Sequence, residues 1–582
     1  MIRRLFKQLV VSQIVSAMAV TICLLVDSIM IGRFLGVDSM AAYGLANPVL
    51  LAFASFGSML STGIQVVCSK AVGNGSEDKL NTYFTTAVIV AGTFSCLGVA
   101  LVLVFLDPLC ILLGAEKGTI VFDLTKDYLT GFIIGAPAFI AAQILVPFLQ
   151  MSGERKRLIT AVLAMTVADI TFDLLNVHLL KQGTFGMGLA STVSYYIAVV
   201  IGGIYFFKAK CIYKFKKSLF SLNPVKDIAN GGIPTIVNQV SFVLLVFTVN
   251  KVMMDTGSNT SVAAFSIVLT IANLGYCLGN GISEVTLMLA GISYNEEDEH
   301  SLKDIVKIQS LYAIIIDLVA MVLFLLSASK LATLFIDNSP EAESEAAFGL
   351  MMFSLCLVPS SLNAAFKKYY QAIGMIRFSE IYSFVQNFLF PAIAVVILGY
   401  TAGKKGVWLY FVIGETLSLL MVTLYIHIKS KQPIFSLNSF ACIPESFSHK
   451  TSDVMEFTVF DSDGVISASA AAEKFCTLKG ASRKKSMYTA LCIEEMANNI
   501  IQHGFSTSGD NRIDIRLVKK DDSLLIRIRD NCRGFDPTDF YELNKKDDQD
   551  PSRHIGIRMI FNMASKVQYV YSLGLNNLLL EV

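Results

Sequence analysis

Leu417-Ser-Leu-Leu-Met-Val-Thr-Leu-Tyr-Ile-His-Ile-Lys429-Ser-Lys431-Gln432-Pro433 is where the chain changes solvent. Up to Lys431 it is a succession of apolar runs, each long enough to cross a bilayer. From Gln432 to Val582 it reads as a mixed helix and strand domain. The totals agree with the longer part: only 16% of the 582 residues are charged and the mean hydropathy is +0.59, which excludes an ordinary soluble protein. Crossing hydrocarbon takes ~20 consecutive apolar residues, because every backbone group must be satisfied within the segment. A net charge of +1 leaves no electrostatic footprint for nucleic acid, and none is expected as a partner. The 11 cysteines are scattered singly, without a Cys-x-x-Cys pair or neighbouring histidines, so they read as small core hydrophobes and not as a disulfide frame or zinc site. The basic start Met1-Ile-Arg-Arg-Leu-Phe-Lys7 has the look of a signal peptide. The apolar run behind it is too long and lacks a cleavage site, so it is expected to remain as the first span.

Twelve spans are expected, near 10–32, 44–68, 84–106, 126–150, 158–180, 187–207, 232–255, 262–290, 308–329, 347–371, 379–400 and 407–428. Loop charge checks the count. Connections on one side hold Arg3, Arg4, Lys7, Lys70, Lys79, Arg155 to Arg157, Lys208 through Lys226, Lys303, Lys307, Lys367, Lys368, Arg377, Lys429 and Lys431. The other side holds Arg33, Lys117, Lys126, Lys181, Lys251, Lys330, Lys404 and Lys405, a bias of more than two to one. Both termini are therefore expected in the cytoplasm. The single Trp408 falls at the outer end of the last span, where an amphipathic ring is comfortable.

The first half repeats in the second. Val26-Asp-Ser-Ile-Met-Ile-Gly32 is echoed by Val249-Asn-Lys-Val-Met-Met-Asp255, and Gln150-Met-Ser-Gly153 by Gln371-Ala-Ile-Gly374, at offsets of 223 and 221. An even number of spans per repeat gives both halves (about 1–220 and 221–431) one orientation, and transporters built this way hold substrate between the halves and rock them.

Val26-Asp27-Ser28 with Ile31-Gly32-Arg33, Ser61-Thr-Gly63 to Ser69-Lys70-Ala-Val-Gly73, the Gln150 to Arg155 turn and Gly186-Met-Gly188-Leu-Ala-Ser-Thr192 together resemble the multidrug and toxic compound extrusion (MATE) family over roughly 5–430. The resemblance implies an all-α polytopic domain that exports organic cations and other amphipathic compounds in exchange for H+ or Na+.

Ionisable groups at membrane depth are costly and are functional candidates by default. Asp27 lies in the first span, and Asp169 and Asp173, at i and i+4, share a face of the fifth. Carboxylates placed close together in low dielectric cannot all be charged, which suits proton exchange, and the same oxygens would also hold Na+. The resemblance implies a first-half cation site made of Asp27, Asp169, Asp173 and Thr192. Where the family usually has Asn this chain has Asp169, so the coupling ion stays open. Carboxylates that cap helices or pair with backbone groups are the structural alternative. Asn250 stands at the repeat position of Asp27, and Asn238 and Gln239 lie in the seventh span with no acid. Glu284, Asp317 and Glu415 also fall within spans, with structural and transport roles both open.

Beyond a Pro- and Ser-bearing linker at 432–452, a strand is expected at Val454–Phe460, helices near 466–478 and 482–504, strands at Arg512–Val518 and Ser523–Arg529, a helix near 555–566 and two closing strands. Glu495, Asn499 and His503 recur every four residues on one helix face, with Ile493, Met496 and Ile500 on the other. Asp530 can accept a bond from an exocyclic amine and Gly534 lets backbone approach a ligand. An Asn amide oxygen can complete the shell of Mg2+, and a carboxylate one turn away can act as general base.

This constellation resembles the GHKL ATPases, and within them the anti-sigma-factor serine kinases of bacteria. The N-box matches as Glu495-x3-Asn499-x3-His503-Gly504. The adenine box matches at Asp530, Gly534 and Phe535 with Cys532 replacing its first glycine, and the phosphate-lid box matches at Gly556-Ile557 with His554 replacing another. The resemblance implies an α/β sandwich over 453–582 that binds ATP and Mg2+. Asp530 would hold adenine, Asn499 Mg2+, Gly534 and Gly556 the surrounding backbone, and Glu495 would be the base. Residues 536–554 would form the lid.

The reading that follows is a bacterial inner-membrane exporter (1–431) whose cytoplasmic domain phosphorylates a regulatory protein partner or gates the transporter. The alternative is a membrane-anchored sensor that signals through the ATP-binding domain. A lipid-flipping exporter is a further alternative for substrate class. An ATP-driven pump is disfavoured, because no Gly-x4-Gly-Lys-Ser/Thr loop occurs.

Overall fold

A computed structural model describes residues 2–208, 211–257, 259–335, 340–434, 436–444, 447, 453–505, 511–520, 523–544 and 555–582. In the first half the helices are α1 (Ile2–Met30), α2 (Val37–Gly73), α3 (Glu77–Val104), the short α4 (Leu106–Leu112), α5 (Ile120–Ile133), α6 (Ala136–Met151), α7 (Arg155–Leu175) and α8 (Gly183–Gly203). In the second they are α9 (Leu222–Thr256), α10 (Asn259–Asn295), α11 (Glu299–Phe335), α12 (Pro340–Ala372), α13 (Ile376–Phe384), α14 (Phe390–Val407) and α15 (Tyr410–Ser430). Among the described residues 11 helical segments are long and apolar enough to cross a membrane, counting α13 and α14 with the π turn between them as one. The pair α5 and α6, bent by 47°, makes a twelfth. The bend has a local cause: Pro137 cannot donate to the helix ladder, and at Gly135 the absent Cβ leaves the room that Thr192 of α8 occupies.

The two halves meet through α1, α2, α9 and α10, and close tightly at one end. Gly63 of α2 lies against the carbonyl of Ile228, Gly232 of α9 against the carbonyl of Met59, and Gly281 of α10 against Ile14. A Cβ at any of these positions would collide, so small residues permit the close packing of apolar helices in lipid. This closed end is also where the C-terminal domain sits, and it is called proximal below.

Trp408 does not serve as an interfacial anchor. It is fully buried, in a notch opened by Gly349 and beside Phe265. Part of the expected linker is likewise packed. α16 (Leu437–Ala441) follows α15, the Tyr369 hydroxyl donates to the carbonyl of Ala441 (2.8 Å), and Phe366 stacks on Phe440.

The C-terminal domain comprises β1 (Val454–Val459), α17 (Ser462–Leu478), α18 (Arg483–Asn499), β2 (Ile513–Lys520), β3 (Ser523–Asp530), α19 (Pro537–Asn544), α20 (Ile555–Met563), β4 (Lys566–Ser572) and β5 (Leu575–Glu581). The sheet is antiparallel throughout, in the order β1-β2-β3-β5-β4. Strand alternation sorts its faces. Ile513, Ile515, Leu517, Leu524, Ile526 and Ile528 form one core with Val465, Ala468, Cys492 and Ile493 of α17 and α18. Arg516, Arg527 and Arg529 project from the opposite face.

Candidate functional site

Between the halves lies a cavity of about 580 Å³. Asp27 of α1 and Asp169 of α7 line it, together with Ser191, Ser194 and Tyr195 of α8 and Tyr128 of α5. Asp173, one turn beyond Asp169, is fully buried and close enough to act electrostatically on Asp27. The three carboxylates that were expected to cluster therefore stand together. Ser194 donates to Asp169 Oδ1 (3.0 Å) and Ser191 to Asp27 Oδ2 (3.3 Å). Asp27 Oδ1 and both oxygens of Asp173 are buried with no hydrogen-bond partner in the protein. A buried carboxylate oxygen left this way requires a proton or a cation, so the donor set fits either coupling ion.

Thr192 does not join this group. Its hydroxyl donates to the carbonyl of Gly131 (2.8 Å) on α5. Helical rotation of about 100° per residue turns 192 away from the face that carries 191, so the hydroxyls at the acids come from Ser191 and Ser194.

The second-half wall is different in kind. Lys367 and Lys368, counted among the loop charges in the sequence, lie inside α12 and line the cavity. Lys368 pairs with Glu284 at 2.8 Å. Lys367 donates to Asn238 Oδ1 (2.6 Å) and Gln386 Oε1 (3.0 Å). Glu415 accepts from Asn363 (2.6 Å) and Gln386 (3.0 Å). Asp317 is buried away from this network.

In the C-terminal domain Glu495 and Asn499 sit one turn apart on α18, half-buried. The helix widens into a π turn at Ile500–Gly504, and His503 within it is exposed. Gly504 touches Cys532, and its carbonyl accepts from the Arg533 amide (3.1 Å), which joins the end of the N-box to the adenine loop. Asp530 is almost wholly buried and accepts from Asn576 Nδ2 (2.7 Å) and the Cys532 amide (2.9 Å). Both of these bonds fall on Oδ1. Burial raises this carboxyl above its ordinary range, against the bonds from Asn576 and from the amide and thiol of Cys532. A Cβ at Gly534 would meet Asn576 and Tyr571 at ordinary contact distance, 3.8–4.0 Å. Gly556, at the start of α20, stands directly on the Glu495 carboxylate, where any Cβ would clash. These residues fit an adenine nucleotide. His554 and 545–553 of the expected lid lie outside the described residues.

The domain is fastened to both halves of the membrane part, and sequence reasoning missed the residues that do it. Arg527 reaches the carbonyl of Gly73 in the first half (3.3 Å) and Glu296 in the second (2.9 Å). Arg529 shares Glu296 at 2.5 Å, while Arg516 pairs with Asp298 at 3.3 Å and bonds the carbonyl of Glu297 at 3.0 Å. Burial disfavours charge on Asp298, but Arg516 and Ser301 outweigh it and hold the carboxyl below its usual range. A second fastening lies at the β4–β5 turn. Leu573 donates to the carbonyl of Met151 (2.5 Å) and Arg155 donates to the carbonyl of Leu573 (2.8 Å). Gly153 and Gly574, at φ of 74° and 79°, pack backbone to backbone. Both hold the left-handed conformation that favours glycine, and at Gly153 a Cβ would collide with the Gly574 backbone. The signal for the first fastening was present in the sequence, as arginines at alternate positions of adjacent strands.

The sequence profile of the MatE family matches residues 13–175 and 234–397, and that of the histidine kinase-like ATPase domain matches 460–580. The probable multidrug resistance protein YoeA of Bacillus subtilis (strain 168) is 24% identical over 331 residues, which is 54% of this chain and 69% of that protein. An FAD transporter of Shewanella oneidensis is 24% identical over 186 residues, 31% of this chain and 40% of that protein. Among solved structures, an outward-facing multidrug resistance MATE family transporter of the MOP superfamily has a TM-score of 0.69 at 22% identity, covering 73% of this chain and 95% of its own. A MATE structure in a bent conformation has a TM-score of 0.66 at 20% identity, covering 76% and 97%. With a helical twin repeat around a shared cavity and over half its length matched, the chain belongs to the MatE family of multidrug-type membrane transporters and carries a histidine kinase-like, ATP-binding domain at its C-terminal end.

Proposed function

We propose that this protein exports organic, amphipathic compounds in exchange for H+ or Na+, and that its ATP-binding domain regulates when the cavity opens to the cytoplasm. The observation that carries the export reading is the first-half cluster in which Asp27 and Asp169 line the cavity and Asp27 and Asp173 carry buried oxygens that lack partners. A proton or Na+ held there neutralises charge that low dielectric would otherwise penalise, which links ion occupancy to the arrangement of the halves. Ser191 and Ser194 orient the carboxylates. The loop-charge bias supports a bacterial cell membrane placement with the proximal end and both termini in the cytoplasm.

For regulation, the support is that Arg527 of the C-terminal domain reaches both halves, bonded to the Gly73 carbonyl on one and paired with Glu296 on the other. Opening toward the cytoplasm must separate those two points, so the docked domain opposes it. The nucleotide site is close by: Asn576, which holds Asp530, lies two residues past the Gly574 turn that clips onto Gly153. In this reading Asp530 receives the adenine amine and Asn499 holds Mg2+ among the phosphates. Glu495 is placed to accept a proton from an attacking hydroxyl once Gly556 moves off it. ATP supplies the transferable phosphoryl group.

The test is flux of fluorescent amphipathic dyes, cationic and carboxylate-bearing, in proteoliposomes under an imposed pH or Na+ gradient. Asp27→Asn should abolish gradient-driven export while leaving the protein folded and inserted. Export at the unmutated rate in that variant sinks the assignment, and no flux in the unmutated protein moves the weight to a ligand sensor.

A further inference from the structure

The two walls of the cavity carry opposite charge. On the first-half side the charged residues are Asp27 and Asp169, with no base among the lining residues. On the second-half side they are Glu284, Lys367 and Lys368, and Glu284 is spent on Lys368 at 2.8 Å. That leaves Lys367. Its ammonium is 92% or more buried as a residue, with a relative exposure of 8%, and its partners are two neutral amide oxygens, on Asn238 and Gln386. An ammonium has three donors, so one N–H is uncommitted at the cavity wall.

Glu415 is the acid nearest this group, but it stands behind Gln386 and Asn363, accepts from both amides and does not line the cavity. Asn363 is itself fixed by the Tyr382 hydroxyl (2.6 Å), and Asn238 by Asn387 (2.9 Å). The lysine is thus held in place by a braced amide frame that orients its charge without quenching it by contact. A desolvated ammonium of this kind pairs best with an anion brought to it.

We infer that Lys367 is the binding point for an anionic group, a carboxylate or phosphate, on an amphipathic substrate in this cavity. The inference rests on the export reading and narrows it. The coupling cation belongs to the aspartates of one wall and the substrate's anion to the lysine of the other, so the two ligands do not share a charged group.

The test uses a matched pair of xanthene dyes, one with a free carboxylate and one with the same group as its ethyl ester, bound to the full-length protein in nanodiscs and read by fluorescence anisotropy. The unmutated protein should bind the carboxylate dye about tenfold more tightly than the ester. Lys367→Met should remove that preference while leaving ester binding unchanged, and Lys367→Arg should keep it. Ester binding doubles as the folding check on Lys367→Met. Should that variant fail the check, the dye preference of the unmutated protein and of Lys367→Arg decides. Equal binding of both dyes, with export intact, overturns the anionic site alone. A preference that survives in Lys367→Met also overturns it, and failure of both dyes to bind overturns it together with the export reading.

Discussion

Replacing Arg527 with Ala removes a side chain of the C-terminal domain that contacts both halves at the proximal end. The bonds lost are the Arg527–Glu296 ion pair at 2.9 Å and the bond to the Gly73 carbonyl at 3.3 Å. Side-chain exposures are 18% and 3% for Arg527 and Glu296, so solvent screens this pair little. Breaking a buried pair outright costs ~3–5 kcal/mol. Here Glu296 retains Arg529 at 2.5 Å, and the hydrogen bond lost is the charge-assisted one to the Gly73 carbonyl, so the loss is smaller, about 2 kcal/mol. At 1.36 kcal/mol per decade this is roughly a 30-fold rise in opening at the closed end. Hydrogen–deuterium exchange reads it directly, as faster exchange in peptides spanning Met59–Gly73 and Ile228–Gly232, where the halves abut. Lys479→Ala, which breaks a pair with Asp453 inside the C-terminal domain (2.8 Å), serves as the control and should leave those peptides unchanged. Exchange at the unmutated rate in Arg527→Ala would refute the clamp. The pH dependence follows from Asp298. Its carboxyl is held low, so its contribution is complete above the unfolded value near 3.8 and is lost only as pH falls below that. The clamp should therefore hold unchanged across neutral pH.

Three further outcomes follow from named contacts. The Asp530 carboxyl is raised by burial and must be ionised to accept an amine, so the proton competes with nucleotide at a higher pH than for a free aspartate; affinity for a fluorescent ATP analogue should fall on acidification, and Asp530→Asn should lose both the affinity and its pH dependence. Gly556→Val puts a side chain into the Glu495 carboxylate, and should weaken nucleotide binding without disturbing gradient-driven flux, measured side by side. Ser191→Ala should alter the pH or Na+ dependence of transport, whereas Thr192→Val, which loses a buried bond to Gly131, should cost about 1 kcal/mol of stability and leave that dependence alone, as thermal unfolding and flux would report.

What the sequence made legible was whatever a period or an offset can carry. Apolar runs and loop charge yield the spans, the paired motifs yield the twin repeat, and a four-residue spacing puts Glu495 and Asn499 on one helix face. The failures share a cause as well. Strand alternation places Arg516, Arg527 and Arg529 on one face but cannot say what covers it, and what covers it is a loop more than 200 residues away. Lys367 falls near a span end in the sequence and reads as a loop charge, although the helix continues to Ala372 and turns it inward. Trp408 suits an interface by position, yet Gly349 opens a notch that takes the whole ring. Thr192 comes from the family resemblance, and one residue of helical rotation turns it off the acids; His503 shares a four-residue spacing with Glu495 and Asn499 but stands exposed in a π turn.

The central claim is that a gradient drives export while the ATP-binding domain only sets access to the cavity. Flux in proteoliposomes under an imposed pH or Na+ gradient, with and without a non-hydrolysable ATP analogue on the side of the C-terminal domain, tests it most directly. The account predicts flux that requires the gradient, changes rate with the analogue, and loses that response in Arg527→Ala. Flux that requires ATP hydrolysis and no gradient would contradict it.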